Sequence, residues 1–159
     1  MPAVFGAARK IHGKHKFVVE FDSGIVSAAF AKCSELKVDI AEITYHEGGN
    51  LIPIKDAGLM TFADVTLDRG ASDDFDFYSW VKQVADAAVG PGGAGAVFTD
   101  YKRGLDIVQR DRDNETLRRW SLYGSWPKSY TAGAWDNSAN EVVMEQLVLA
   151  YDYFESAAT

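Results

Sequence analysis

The residue types that most often carry chemistry are few in this chain and poorly spaced for it. His12, His15 and His46 are the only histidines. No pair of them has the helical spacing, with a third ligand, that would mark a zinc site. Cys33 is the sole cysteine, and with no identified histidine or acid to activate its thiolate it reads as a buried structural thiol. Asp73 with Asp74, and Glu141 with Glu145, offer paired carboxylates. The first pair is explained by helix capping and the second by one polar position on a strand, and neither suggests the pKa-shifting pocket that general acid-base catalysis needs. The run Gly90-Pro91-Gly92-Gly93-Ala94-Gly95 follows a helix instead of opening one and lacks a Gly-Lys-Ser/Thr ending, which argues against a phosphate cradle. The expectation is a protein that is not an enzyme and takes no cofactor or metal.

Composition narrows the class further. With 159 residues, 47% of them hydrophobic, the chain can bury one ordinary core. It reads as a basic arm over 1–15 followed by a single domain over 16–159. The formal charge of -7 disfavours a simple nucleic-acid surface, which needs clustered Lys and Arg. That charge is uneven: Arg9, Lys10, Lys14 and Lys16 stand near the start, whereas residues 136–155 carry five acids and no base. A lone cysteine permits no intrachain disulfide and suits a reducing compartment. No apolar run is long enough for a signal peptide or a bilayer span, so synthesis in the cytoplasm without membrane anchoring is expected.

The elements are mostly strands. Residues 36–70 read as a long hairpin whose first arm, Leu36 to Ile40, alternates apolar and polar residues, as a half-buried strand requires. Ile40 is even and the next apolar pair, Ile43 and Tyr45, is odd, a phase slip that a bulge near Ala41-Glu42 would repair. The connection runs from Glu47 to Gly58, and the second arm from Leu59 to Arg69. Its polar side, grouped as Asp39, Glu42, Asp64 and Asp68, could repel anions. Lys16 to Asp22 and Ile25 to Cys33 read as another hairpin. Ser72 or Asp73 caps a helix through Val89 that buries Phe77, Val81, Val84, Ala85 and Ala88 beside Trp80. Gly104–Arg110 and Thr116–Trp126 form a hairpin that Trp126-Pro127 should end, leaving 130–140 as loop anchored by Trp135. Residues 141–154 read as one last strand with apolar residues on both faces, which is either central or covered by another subunit.

An ordered series of segments then resembles a known family. Lys16-Phe17-Val18-Val19-Glu20, Ala29-Phe30, Cys33-Ser34-Glu35-Leu36, Tyr45-His46-Glu47-Gly48-Gly49, Lys55 with Gly58-Leu59, and Val65-Thr66-Leu67-Asp68-Arg69-Gly70 are similar to successive segments of the contractile-tail tube proteins. These come from myophage tails and phage-tail-like contractile injection systems. Trp80-Val81, Trp126-Pro127, Asn140-Glu141-Val142 and Leu147-Val148-Leu149 complete the series. The resemblance implies a mainly β fold, a small β-sandwich or barrel with one flanking α-helix. It further implies that strands of six subunits join into a closed tube barrel, as stacked hexameric rings around a channel for DNA or protein cargo. Implied partners are other copies of the chain, a contractile sheath protein, baseplate or spike proteins and tube-terminating proteins, in a phage virion tail or an injection-system particle. Inter-subunit contacts are expected at Tyr45, Glu47, Gly48, Gly49, Leu67, Arg69, Gly70, Trp126, Asn140 and Glu141, and lumen-facing positions at Asp39, Glu42, Asp64 and Asp68. Leu67→Asp, which buries a charge, and Gly70→Val, at a turn expected to need positive φ, should both abolish assembly. The alternative is a monomeric small ligand-binding β-barrel.

Overall fold

Strand pairing in this chain is organised by one long strand that belongs to two sheets. The computed structural model describes residue 13 and residues 16–22, 30–71, 75–89 and 101–157. Its elements are β1 (Phe17–Phe21), β2 (Lys32–Cys33), β3 (Val38–Tyr45), β4 (Ile54–Phe62), β5 (Val65–Gly70), α1 (Asp76–Val89), β6 (Arg103–Arg110), β7 (Thr116–Thr131), β8 (Met144–Ala150) and β9 (Tyr153–Ala157). The first half of β7 pairs with β6 and β9, and its second half pairs with β8. The result is a seven-stranded sheet, ordered β1-β6-β7-β8-β5-β2 with β9 also on β7, that folds over on itself. Its two ends do not pair with each other among the described residues, so the sheets are not closed within one chain. The mainly β fold with one helix is as expected.

The fold-over happens at Gly124 and Pro127. Gly124 has φ +65, a conformation that side chains with a Cβ rarely adopt, and an added Cβ would also collide with the Asp152 carboxylate. Pro127 does not end the strand as expected. It lies where the β7–β8 register shifts, on a half-strand paired on one side only among the described residues, and bulges and edges both tolerate a missing N–H. Residues 130 and 131 are therefore strand, not loop, and Trp135 is 74% exposed, so it anchors nothing within the subunit.

The core lies between the two halves of the sheet. Val19 and Leu105 from one half face Val65, Leu67, Leu147 and Leu149 from the other, each at most 2% exposed. Helix α1 caps one end. Phe77 and Trp80 sit three apart, which places them on one helical face, and both are buried. Phe77 stacks on Phe30 at 5.5 Å, and Trp80 meets Phe21 edge-on at 5.9 Å. Trp80 Nε1 donates to the Tyr101 carbonyl at 2.7 Å, which locks the helix to the start of β6. Ala85 is exposed and the expected caps Ser72 and Asp73 lie outside the described residues, as does Ala88's side chain.

Several pairings differ from the sequence expectation. Of 25–33, residues 25–29 lie outside the described residues; β2 pairs with β5 and β1 with β6, so the described residues of 16–33 do not pair with one another as a hairpin. The last stretch is two strands: β8 is central between β7 and β5, and after Tyr151-Asp152 the chain continues as β9. Glu145, expected on a polar face, points with Leu147 and Leu149 into the core. There its Oε2 accepts from Arg69 Nε at 2.9 Å and its Oε1 from the Tyr130 hydroxyl at 3.1 Å, while the Arg69 guanidinium lies 3.8 Å from the Phe77 ring centre. This node joins β5, β7, β8 and α1. A buried pair is destabilising to break because one charge is left behind. Glu145→Ala is expected to lower the unfolding free energy by about 3–5 kcal/mol, read as a drop in the urea midpoint, while Arg69→Met with Glu145→Leu together recovers most of that loss.

Candidate inter-subunit surface

The sequence-derived contact residues fall in two groups and a remainder. Tyr45, 60% exposed, and the exposed Glu47, Gly48 and Gly49 form the far tip of a β3–β4 hairpin. Gly70, at the end of β5, lies beside the 140–143 loop that carries exposed Asn140 and Glu141: Ala71 N donates to the Val143 carbonyl at 2.8 Å. Leu67, 0% exposed, and Arg69, 5% exposed, face the subunit's own core and are not surface residues of the single chain. Trp126 is half-buried, edge-on to Tyr101 at 6.3 Å. Gly70 does not have positive φ, and an added Cβ would meet only Val142 Cγ1 at 3.7 Å. The expected strain of Gly70→Val is therefore absent.

The hairpin itself differs from the sequence reading in a way that matters. Strand β4 starts at Ile54, within what was expected to be loop, and the second arm breaks at Ala63-Asp64, so that β5 enters the main sheet. A register shift is present where the bulge was expected, between Ile40 and Glu42, but it does not return Ile43 and Tyr45 to the face of Ile40. Ile40 pairs with Met60 and Glu42 with Ala57, so the extra residue lies on β4, around Gly58. Glycine suits the close approach there, because a Cβ would stand 3.0 Å from the Ala41 carbonyl oxygen and push the two strands apart by a few tenths of an ångström.

Since the extra residue is on the partner, β3 keeps its own alternation. Val38, Ile40 and Glu42 share one face, and Asp39, Ala41, Ile43 and Tyr45 the other. Asp39 and Glu42 thus leave the strand on opposite sides, which corrects their grouping on one polar face. The two sides can be assigned. Val38 pairs with Phe62, directly opposite residues share a face, and Phe62 packs on Tyr151 and Phe154 at 6.1 and 5.4 Å, against the core. The Val38–Ile40–Met60–Phe62 side is therefore the core side carried outward. It is uncovered in the single chain: Val38 is 38%, Ile40 54% and Met60 57% exposed.

Each acid proposed from sequence has a basic neighbour. Lys37 Nζ is 3.3 Å from Asp39, Lys55 Nζ 3.3 Å from Glu42 and Lys128 Nζ 2.9 Å from Asp64. Asp68 stands opposite Lys32 in the β2–β5 ladder, its Oδ1 buried and without a hydrogen-bond partner among the described residues. Sequence reading missed the Lys128–Asp64 pair because Lys128 is far away in the chain, and the Lys32–Asp68 juxtaposition because the β2–β5 register was unknown.

A cavity of about 840 Å³ opens between β2 and the β1-β6-β7-β9 half, lined by Phe17, Cys33, Leu36, Ile107, Trp120 and Phe154. Burial pushes the Cys33 thiol up to about 11 from 9.0, because the thiolate is poorly solvated there. No group of three His, Cys, Asp or Glu that could hold a metal occurs among the described residues, and no described helix is long and apolar enough to cross a membrane.

Comparison with known proteins places this geometry. Residues 13–155 match the family described as T4-like virus tail tube protein gp19. The fold is similar to that in the anti-feeding prophage tube-terminating cap, with TM-score 0.79, 21% identity, and 96% of this chain and 95% of that chain covered. It is also similar to a chain of the extracellular contractile injection system PVC sheath-tube complex, with TM-score 0.77, 18% identity, and 96% and 95% covered. Hcp1 from Flavobacterium johnsoniae shares the fold at TM-score 0.54 and 10% identity, with 90% and 95% covered. No curated protein matches.

The thiol's environment sets a measurable reactivity. At pH 7 about one Cys33 in ten thousand is ionised, so iodoacetamide should alkylate it about 100-fold more slowly than an unperturbed thiol. The rate should climb with pH up to about 11, and unfolding in urea should restore the ordinary rate. Fast labelling of the folded protein at pH 7 would contradict the burial.

Proposed function

Because the chain belongs to the T4-like virus tail tube protein family, we propose that it is a structural inner-tube subunit, acting through self-assembly into stacked hexameric rings around a channel. The single observation that carries the assembly reading is the uncovered core side of the hairpin. An apolar stripe that leaves its own core and continues into solvent is a poor end state for a lone subunit, and a second copy of the same chain can cover it. The hairpin tip at Tyr45, Glu47, Gly48 and Gly49 and the opposite rim at Gly70, Asn140 and Glu141 then supply the contacts between neighbours.

The strand edges support the same reading. The half-sheet β7-β8-β5-β2 has four strands, and its outer strands β2 and the second half of β7 have no further partner among the described residues. Edges left open invite pairing, and closure by other subunits removes them. Six such half-sheets would make a barrel whose backbone diameter is about 48 Å, at a strand spacing of about 4.8 Å and a tilt of about 40°. After side chains, a channel about 35–40 Å wide remains. A contractile sheath protein would surround this tube, baseplate or spike proteins would start it, and a terminating protein would stop it. The subunit would be made in the cytoplasm and end in a phage tail or an injection-system particle. The 840 Å³ cavity lies at the open β1 and β2 ends, where the sheet of one chain is incomplete.

Two substitutions separate folding from assembly. Ile40→Asp changes a side chain 54% exposed in the single chain, so its thermal unfolding should match wild type, while negative-stain microscopy should show no rings, since in the ring the charge is buried without a partner. Leu67→Asp, at 0% exposed, should fail to fold at all. Wild-type tubes from Ile40→Asp would overturn the assignment of the hairpin face.

A further inference from the structure

The outward side of the β7-β8-β5-β2 half-sheet has an ordered composition that the tube reading leaves unexplained. Across the four strands, Lys32, Asp68, Gln146 and Thr131 stand in one register row, and Thr66, Val148 and Ser129 in the next. Their neighbours along the strands, Leu67, Leu147 and Leu149, are buried, so these rows face away from the core. The hairpin prolongs this surface, because β2 leads into β3 and β4 into β5. On its non-core side it adds Lys37, Asp39 and Thr61. Pro127 and Val65 are buried, which turns the adjacent Lys128 and Asp64 outward, where they pair at 2.9 Å. From β7 to the base of the hairpin this surface thus carries three lysines and three aspartates, two of the lysines in ion pairs with an aspartate and Lys32 opposite Asp68 in the ladder, with hydroxyls and an amide between them; toward the tip the same side of the hairpin continues with Ile43, Tyr45 and Asp56. By contrast, the reverse side of the hairpin is apolar at its base, at Val38, Ile40, Met60 and Phe62, before the Glu42–Lys55 pair, and the outer face of β1-β6-β7 holds a denser ionic cluster of Glu20, Asp106, Arg110 and Arg119.

Resting on the tube reading above, we propose that this outward surface is the channel wall, and that the wall is charge-balanced and fits a polypeptide cargo of mixed charge. The apolar side of the hairpin's base is needed for contact between copies and its tip reaches the neighbouring copy, so the other side of the base remains for the channel, continuous with the half-sheet that it lengthens. Each ring would present lysines to the channel as often as aspartates. Duplex DNA carries one negative charge per about 1.7 Å of axis, and repeated exposed lysines bind such a polyanion by releasing its counterions. A polypeptide bearing both signs meets no net field and is neither gripped nor expelled as a whole. Lysine and aspartate at this spacing also keep the wall hydrated, which limits adhesion of apolar segments.

The test uses assembled tubes, first imaged to establish that they form. Absence of tubes would remove the tube reading itself and this proposal with it. With tubes in hand, small fluorescent proteins of opposite net charge are equilibrated with them and the retained fraction is measured against salt. Wild-type tubes should retain the two equally and with little salt dependence. Tubes of Lys32→Glu, Lys37→Glu and Lys128→Glu combined, which shift the wall by two charges at each of three positions, should retain the basic probe several-fold more than the acidic one, and salt should abolish the difference. Preference for the basic probe by wild-type tubes, no change in the triple variant, or duplex DNA found inside native particles would each overturn the proposal. Should the triple variant not assemble, a map of wild-type tubes decides: Lys32, Asp68, Gln146 and Thr131 on the channel support it, and on the outside they overturn it.

Discussion

Successive side chains of a strand leave opposite faces, and the side that faces the core is handed on wherever the strand continues. That constraint governs this molecule. Phe62 lies against Tyr151 and Phe154, so Val38, its cross-strand partner, and then Ile40 and Met60 inherit the inward side. They inherit it beyond the point where the subunit's own core ends. The hairpin is therefore built as though its core continued, and the missing part of that core is what another copy supplies. A two-stranded ribbon is marginal in water, so the same stripe that exposes the hairpin also ties its stability to association.

The rest of the subunit provides a rigid base for that projection. The Arg69–Glu145–Tyr130 node and the Phe77 ring below it connect β5, β7, β8 and the helix at a place where a polar mismatch would be strongly felt. Strand β5, which carries Leu67 and Arg69 inward, follows β4 after only Ala63 and Asp64. Displacement of the hairpin is thereby coupled to the best-packed part of the domain. Gly124 and Pro127 complete the base by folding one strand over, so that a single chain presents two half-sheets with open edges.

Much of the local structure was legible in the sequence. The strands at 17–21, 38–45, 65–70 and 103–110 and the helix at 76–89 follow from periodicity, because alternation and helical spacing are properties of neighbours in the chain. A bulge was expected from the slip in parity and one lies at that position, although it leaves the slip on β3 in place; the family resemblance was legible as an ordered series of short segments. Less legible was which strand held the extra residue: parity on β3 suggested β3, but Gly58 on β4 accommodates it through its close approach to Ala41. Pro127 was read as a strand end, since a missing N–H usually ends a ladder; the register shift beside it, on a half-strand paired on one side only among the described residues, explains why the strand survives.

What the sequence by itself determined is the set of short-range facts: strand periods, one amphipathic helix, the absence of cysteine or histidine clusters, and the run of motifs that marks the family. The tertiary structure alone decided which strands pair, which of the two faces of each strand is inward, and which lysine meets which acid. Glu145 and Arg69 became a buried pair, Asp39 and Glu42 were separated to opposite sides, and Lys128 came to Asp64 from the far half of the chain. The physical reason is that period two fixes only that neighbouring side chains oppose each other. It leaves the sign of the alternation open, and that sign is set by contacts between residues distant in sequence.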